Sequence, residues 1–281
     1  MKPGQESKTA VLVCMGRALA DGDSTLPAFS DPTALALLPD EARRRVERVR
    51  REAAPKGLKE AIEHGYLLRQ SKIMAARSLH IDAAIAEARA EQLVILGAGL
   101  DGRAWRMPEL ADVAVFEVDH PDSQREKRER AEALTQVAGE VHFVPVDFAR
   151  DDLDRALSNA GHDPNRATTW VWEGVVMYLR RREIEATLDV IARRSALASR
   201  LLILYHSPAF FLHLLGPIVR LLGEPLRSAF SADEMRSLLA KFRFEVLGDQ
   251  SLPEIGRTIS AEMAAATQVA PHLRLVVAKR N

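Results

Sequence analysis

Between residues 93 and 279 the chain alternates short apolar runs with charged or amphipathic stretches, and no other feature of the sequence constrains its fold as much. The runs are "LVILG" (93–97), "VAVFEVD" (113–119), "VHFVPVD" (141–147), "TTWVWEG" (168–174), "LLILYH" (201–206), "FEVLGD" (244–249) and "LRLVVAK" (273–279). Between them lie helical stretches such as "DSQREKRERAEALTQ", "RREIEATLDVIARRS" and "SADEMRSLLAKF". Runs that are apolar on both faces suit buried strands, and parallel strands need a crossover long enough for a helix. The last two runs are joined without a clear helix and are expected to pair antiparallel. The pattern predicts an α/β fold: a seven-stranded, Rossmann-like, doubly wound sheet with an antiparallel last strand. Ligands of such sheets sit outside the carboxyl ends of the strands.

Residues 1–90 read differently, as helices without strand-like runs. "DPTALALL" offers Asp31 as an N-cap and Pro32 at the first helical position. "LKEAIEHGYLLRQSKIMAARSLHIDAAIAEA" (58–88) has apolar residues three and four apart, with Gly65 as a break point. These patterns predict a helical cap over 1–90 packed on a core over 91–281. "EARRRVERVRRE" (41–52) interleaves acids and bases at helical spacing and is read as a solvated helix face. "TAVLVCMG" (9–16), followed by "ALAD", imitates a short signal peptide, but the apolar run is brief and Arg17 interrupts it. It is taken as an amphipathic helix of the mature protein. No linker, internal repeat or low-complexity segment is found.

"LVILGAGLDG" runs from a strand into glycines spaced G-x-G-x-x-G. Gly97 and Gly99 let the backbone approach a ligand, and the turn around Ala98 aims N–H groups at it. A dinucleotide and an S-adenosyl compound would both use such a turn, and either would set its ribose diol against an acid at the end of the second strand, Glu117 or Asp119. The next strand ends separate the two. Asp147 beside Phe148 suits an adenine ring, with a carboxylate for the exocyclic amine and an aromatic neighbour for the face. Glu173, at the fourth strand end, would oppose a pyrophosphate but favour an ammonium and a sulfonium. Together these ends favour S-adenosyl-L-methionine, with S-adenosyl-L-homocysteine as product.

In this order, "LVILGAGLDGRAWRM", "FEVDHP", "VPVDF", "WEGVVMYL" and "GEPLRSAFSADEMRSLLAKFRFEVL" resemble the leucine carboxyl methyltransferase family. The likeness is greatest to its bacterial branch of S-adenosylmethionine-dependent O-methyltransferases, which includes polyketide-tailoring enzymes, and it runs from about residue 7 to the final strand. It implies a class I methyltransferase fold with a helical N-terminal cap and a lid inserted after the fifth strand, over about 207–230. By the same resemblance Gly97 meets the methionine moiety, Asp119 the ribose, Asp147 and Phe148 the adenine, and Glu173 is the glutamate after the fourth strand. "MAARSLHIDAA" resembles the family's Arg-x-x-x-x-Asp helix, which would give Arg77 the methionine carboxylate through its bidentate fork, with Arg69 as a rival. The family commonly has "LDTR" where this chain has "LDGR", and Asp-Leu where it has Asp-Phe.

For the acceptor, His206 follows the fifth strand at the ligand end and is a candidate general base, against a structural role anchoring the lid. Met177, Tyr178 and Tyr205 are candidate substrate contacts. "SPAFFLHLLGPIVRLLGEP" is strongly apolar and suits a small hydrophobic or aromatic acceptor, methylated on a carboxylate or a hydroxyl. The alternatives are an NAD(P)-dependent oxidoreductase and a non-catalytic S-adenosylmethionine-binding protein.

Lys plus Arg and Asp plus Glu number 39 each, so no bulk field favours nucleic acid. The single cysteine, Cys14, excludes an internal disulfide and suits a reducing cytoplasm. Scattered histidines and one cysteine offer no metal constellation. The apolar stretch 201–223 carries His206, Pro208, His213, Pro217 and Arg220, which argue against a membrane span. A monomer or homodimer acting on a small molecule is expected.

Overall fold

A computed structural model of the protein describes residues 7–26, 28–51, 57–148, 150–208 and 226–281. Seven strands form one sheet: β1 (Gln92–Leu96), β2 (Ala114–Asp119), β3 (Glu140–Pro145), β4 (Thr168–Trp172), β5 (Arg200–His206), β6 (Phe244–Ser251) and β7 (Leu273–Arg280). Their order is β3-β2-β1-β4-β5-β7-β6. β1 to β5 are parallel, and β7 runs antiparallel to both β5 and β6. The strand order reverses between β1 and β4, so the crevice at their carboxyl ends is where a doubly wound sheet accepts a ligand.

The buried apolar runs explain why the central strands form where they do. Every residue of β1 and β4 is buried, as required of strands covered on both faces. One face packs Val94, Leu96, Trp170 and Trp172 against Ile184 and Leu188 of α8 (Arg181–Arg193) and Leu238 of α9 (Ala232–Lys241). Each such side chain contributes roughly 1.5–3 kcal/mol by leaving water. The opposite face joins Leu93, Ile95 and Leu202 to Cys14 and Leu19 of α1 (Lys8–Ala20), Ile81 of α4 (Leu58–Ala88) and Leu252. The N-terminal helices therefore share one continuous core with the sheet.

Two connections differ from the sequence reading. β6 and β7 are joined through α10 (Leu252–Ile259) and α11 (Ala261–Thr267), not by a helix-free link. A capping box at Ser251 and Glu254 starts the first of these. The antiparallel pairing comes from β7 returning between β5 and β6. Gly65 does not break α4, which runs unbroken for 31 residues and ends at Arg89 with φ 48°. Nor does Asp31 start a helix directly. α2 (Ala34–Leu37) begins two residues beyond Pro32, and Asp31 reaches forward to accept from the Ala34 N–H at 3.1 Å.

The basic segment forms α3 (Asp40–Arg51), with acids in its first turn and arginines in its last, as the helix dipole favours. It is not only a solvated face. Val46 is fully buried, Arg43 donates to the carbonyls of Leu35 and Ala36, and Arg50 donates to that of Ala18. Among the described residues no helix is long and apolar enough to cross a membrane. Of the apolar stretch after residue 200, 201–206 belong to β5, whereas the expected lid lies mostly at 209–225, outside the described residues.

Candidate active site

The glycine turn after β1 is shaped by two constraints. Gly97 has φ +72°, a left-handed conformation that disfavours any side chain, and a Cβ there would be driven into Val175 Cγ2. Gly99, at φ +49°, faces α1, where a Cβ would stand 3.1 Å from that of Ala10. Gly102 differs in kind. Its φ is −109°, and what it allows is the close approach of Thr33, whose Oγ1 occupies the place of a Cβ. The third glycine thus serves packing of the N-terminal segment, not the turn itself.

Over this turn lies a cavity of about 380 Å³, within the usual range for small-molecule sites. Gly97, Ala98, Gly99, Asp119, Glu173, Arg77 and Tyr178, all singled out from sequence, line it. At the β2 side, Asp119 accepts N–H groups from Gly99 (2.5 Å) and His120 (2.6 Å). Burial raises its carboxyl above the usual carboxylate range, and those two hydrogen bonds oppose the rise. The following helix, α6 (Pro121–Ala131), is N-capped by His120, whose Nδ1 accepts from the Asp122 N–H, so the capping role falls to His120.

At the β4 side, Glu173 is gripped by two arginines. Arg77, from the middle of α4, pairs with Oε1, and Arg103 reaches Oε2 at 3.3 Å. Burial alone would raise the Glu173 carboxyl, but Arg77 and Arg103 outweigh it and hold it below its ordinary value. Burial lowers the Arg77 pKa, with Glu173 opposing. Arg69, the rival from the same helix, is exposed and does not line the cavity.

Beneath this pair extends a buried network that the sequence reading missed. Arg103 binds Asp82 Oδ1 at 2.7 Å and also pairs with Asp101; Arg106 binds Asp82 Oδ2 at 2.7 Å and lies 3.5 Å from Asp31 Oδ2. Arg17 of α1 joins Asp31 at 2.9 Å and donates to the Leu100 carbonyl at 2.5 Å. Burial would raise the Asp101 carboxyl too, yet Arg103 and Arg17 prevail and keep it well below the carboxylate range. The network locks α1, α2, α4 and the glycine loop into one frame. Its only signals in the sequence were Arg17 interrupting an apolar run and the acid and base of "LDGR".

The remaining expected residues lie elsewhere. Asp147 and Phe148 follow β3 beside Asp119, whose carbonyl accepts the Val146 N–H at 2.8 Å, but neither lines this cavity. Phe148 packs on the core, and Asp147 lies 3.7 Å from Arg150. Met177 is buried, and its carbonyl accepts the Arg227 N–H. Tyr205 does not reach the cavity. It is fully buried, donating to Asp249 Oδ2 at 2.6 Å and accepting from Arg274. Its strand-end position suggested access, but its side chain points to the opposite, packed surface of the sheet. His206 is also absent from the cavity wall. Its ring meets that of His272 edge-on, and burial together with His272 pushes its pKa down to about 4.

The leucine carboxyl methyltransferase family model matches residues 10–192. The chain belongs to the leucine carboxyl methyltransferase family. A family relative from Mycolicibacterium gilvum, "Putative S-adenosyl-L-methionine-dependent methyltransferase", is 33% identical over 244 residues, covering 82% of this chain and 75% of its own length. A Mycobacterium relative of the same name is 35% identical over 151 residues, covering 53% of this chain. The matched segment spans 50% of that relative's length. Among solved structures, a DUF574 family protein from Streptomyces avermitilis superposes with a TM-score of 0.60 at 12% identity, covering 96% of this chain and 97% of its own. Magnesium protoporphyrin IX methyltransferase from Synechocystis, solved with bound S-adenosylhomocysteine, gives 0.51 at 14% identity over 86% and 95%. These likenesses establish the class I methyltransferase fold for this member of the leucine carboxyl methyltransferase family, and membership sets the oxidoreductase alternative aside.

Proposed function

We propose that this protein binds S-adenosyl-L-methionine in the cavity over Gly97 and transfers its methyl group to an oxygen of a small, apolar metabolite. One observation carries the reading. The left-handed Gly97 lies between a strand-end carboxylate, Asp119, and the Arg77–Glu173 pair, inside a single cavity. That arrangement matches a ligand with a ribose diol at one end and an amino acid at the other. Gly97, Ala98 and Gly99 all line the cavity, so a ligand there would meet the nearly bare backbone of the turn, and the residues present fit such a group.

In this reading Asp119 accepts from the ribose hydroxyls. The Arg77 guanidinium holds the carboxylate through its planar fork, and Glu173 faces the ammonium. Asp147 and Phe148, at the adjacent strand end, take the adenine. When bound, the cofactor supplies an electrophilic methyl on a sulfonium. The protein's own contribution is to hold the acceptor oxygen in line and to exclude water. Tyr178 is the candidate acceptor contact that lines the cavity. His206, with its pKa lowered to about 4, would be neutral but a weak base. The apolar sequence of the lid segment supports a hydrophobic or aromatic acceptor, and the lone cysteine supports a reducing, cytoplasmic setting.

Calorimetric titration with S-adenosylmethionine, S-adenosylhomocysteine and NAD⁺ tests the cofactor. The first two should bind and NAD⁺ should not, and Asp119→Ala should weaken binding by about tenfold or more, as expected when a charged hydrogen-bond acceptor is removed. Binding without turnover on any phenol or carboxylic acid would turn the reading to a non-catalytic binding protein. Turnover only on amines or thiols would exclude oxygen methylation.

A further inference from the structure

Among the described residues the arginines around the cavity are paired with carboxylates, with one exception. Arg17, Arg77, Asp101 and Glu173 each meet an opposite charge, and both oxygens of Asp119 accept backbone N–H groups. Arg227 also lines the cavity, and its side chain is exposed. Among the described residues its guanidinium has neither an ion pair nor a hydrogen bond.

Its backbone, by contrast, is pinned. The Arg227 N–H donates to the Met177 carbonyl at 2.7 Å, and the Ser228 hydroxyl donates to that of Val176 at 2.7 Å. These bonds fix the residue to the turn that follows Glu173. Arg227 thus stands on the β4 side of Gly97, whereas Asp119 stands on the β2 side. An arginine held by its main chain at a cavity wall, with its guanidinium unpartnered, is suited to receive an anion in a planar fork.

We infer that Arg227 is a specificity-determining residue that reads an acidic group on the methyl acceptor. The inference rests on the methyltransferase reading for its choice of ligand, but not for its charge argument. It selects acids over neutral acceptors of the same shape.

Naphthalene-2-carboxylate and naphthalene-2-methanol serve as matched probes, titrated calorimetrically into the protein with and without saturating S-adenosylhomocysteine. The carboxylate should bind the loaded protein about tenfold more tightly than the alcohol, the scale of one charge-assisted pair. Arg227→Gln should abolish the preference and Arg227→Lys should keep part of it, while S-adenosylhomocysteine affinity stays within about twofold in both. Equal or absent binding of the two probes overturns the inference, as does a preference that survives in Arg227→Gln. Loss of S-adenosylhomocysteine binding in Arg227→Gln also overturns it, because the side chain would then serve the cofactor. A wild-type protein that ignores S-adenosylhomocysteine but discriminates the probes through Arg227 would reject the methyltransferase reading and retain this one.

Discussion

Arg77 on α4 and Glu173 at the end of β4 form a nearly buried ion pair in the cavity wall, with side chains 7% and 13% exposed. The pair couples a helix of the N-terminal region to the centre of the sheet, and its two charges are those that would read an amino-acid zwitterion. Removing Arg77 leaves Glu173 with Arg103 alone at 3.3 Å, so the loss should fall somewhat short of the about 3–5 kcal/mol of a fully broken buried pair. Arg77→Ala should therefore lower the unfolding midpoint and also abolish S-adenosylhomocysteine binding. Glu173→Gln, which leaves Arg77 an acceptor, should be milder in both respects. Denaturant melts and calorimetry on the two variants check this, and a stable Arg77→Ala that still binds would contradict it.

The two kinds of glycine should respond differently to alanine. At Gly97 the penalty combines the positive φ, about 1–2 kcal/mol, with the collision against Val175. Val175→Ala relieves only the collision, so Gly97→Ala should be partly rescued in the double variant. At Gly102 the obstacle is the Thr33 hydroxyl, which donates to Asp31 at 2.6 Å. Thr33→Ala removes the hydroxyl but leaves its own Cβ and Asp31 Oδ1 at 3.2 and 3.3 Å, so it should rescue most but not all of the Gly102→Ala loss, a strong non-additivity readable in a double-mutant cycle of melting temperatures.

Glu117 and Lys127 form a completely buried pair beside the site, 2.5 Å apart, with the ammonium over the Trp105 ring. Burial pushes the Glu117 carboxyl up to about 7, with Lys127 opposing the shift. A carboxyl whose folded pKa is raised contributes stability that is complete below its unfolded value, about 4.5, and is lost as pH rises through about 7. Lys127→Met removes the opposing charge, so its destabilisation should be larger at pH 8 than at pH 5. Glu117→Gln combined with Lys127→Met should recover most of the loss, because neither charge remains to be buried. Urea midpoints at the two pH values are the measurement. Equal losses at pH 5 and pH 8 would show that Glu117 is not the titrating group.

Asp101 and Glu173 have the opposite sign. Their folded pKa values are depressed, so the stability they contribute is present above about 3.8 and 4.5 and disappears as pH falls through the lowered folded values. Acid unfolding should therefore begin below pH 4.5 and shift to higher pH in Arg103→Gln, whose loss relaxes both carboxyls. A circular-dichroism acid titration of the two proteins reads the shift.

His206→Gln should bind S-adenosylhomocysteine as the wild type does, and its pH profile of kcat/KM from pH 6 to 8 should match that of the wild type. Its pKa of about 4 lies outside that window, and it does not line the cavity. A titration near pH 6.5 that vanished in His206→Gln would restore it as the general base.

The sheet was legible because its strands are buried on both faces. β1, β4 and β5 lie within a residue or two of the apolar runs that predicted them. Strand-end acids were legible because the topology leaves them one place to be, and Asp119 and Glu173 both line the cavity. Tyr205 was misread because a strand residue's side is set by parity and by what covers it. Neither β7 nor Asp249 could be placed beside it from spacing alone. Helix α11 escaped notice because "AEMAAAT" is small and nearly featureless, and α10 because "LPEIGRTI" is only two turns long and carries Gly256 inside it, although Ser251 and Glu254 spell its capping box. The Arg17–Asp31–Arg106–Asp82–Arg103 network draws on four separate segments with no shared period, so only the folded chain assembles it.

Among the described residues β6 pairs only with β7, and β7 also covers the flank of β5. During synthesis on the ribosome, every residue that lines the cavity emerges before position 228. The sheet nevertheless keeps an open, hydrophobic β5 edge until residues 273–280 are made. A premature stop after β6 would thus yield a polypeptide with all its cavity residues, an open β5 edge and a β6 without its partner, a client for chaperones or a seed for aggregation.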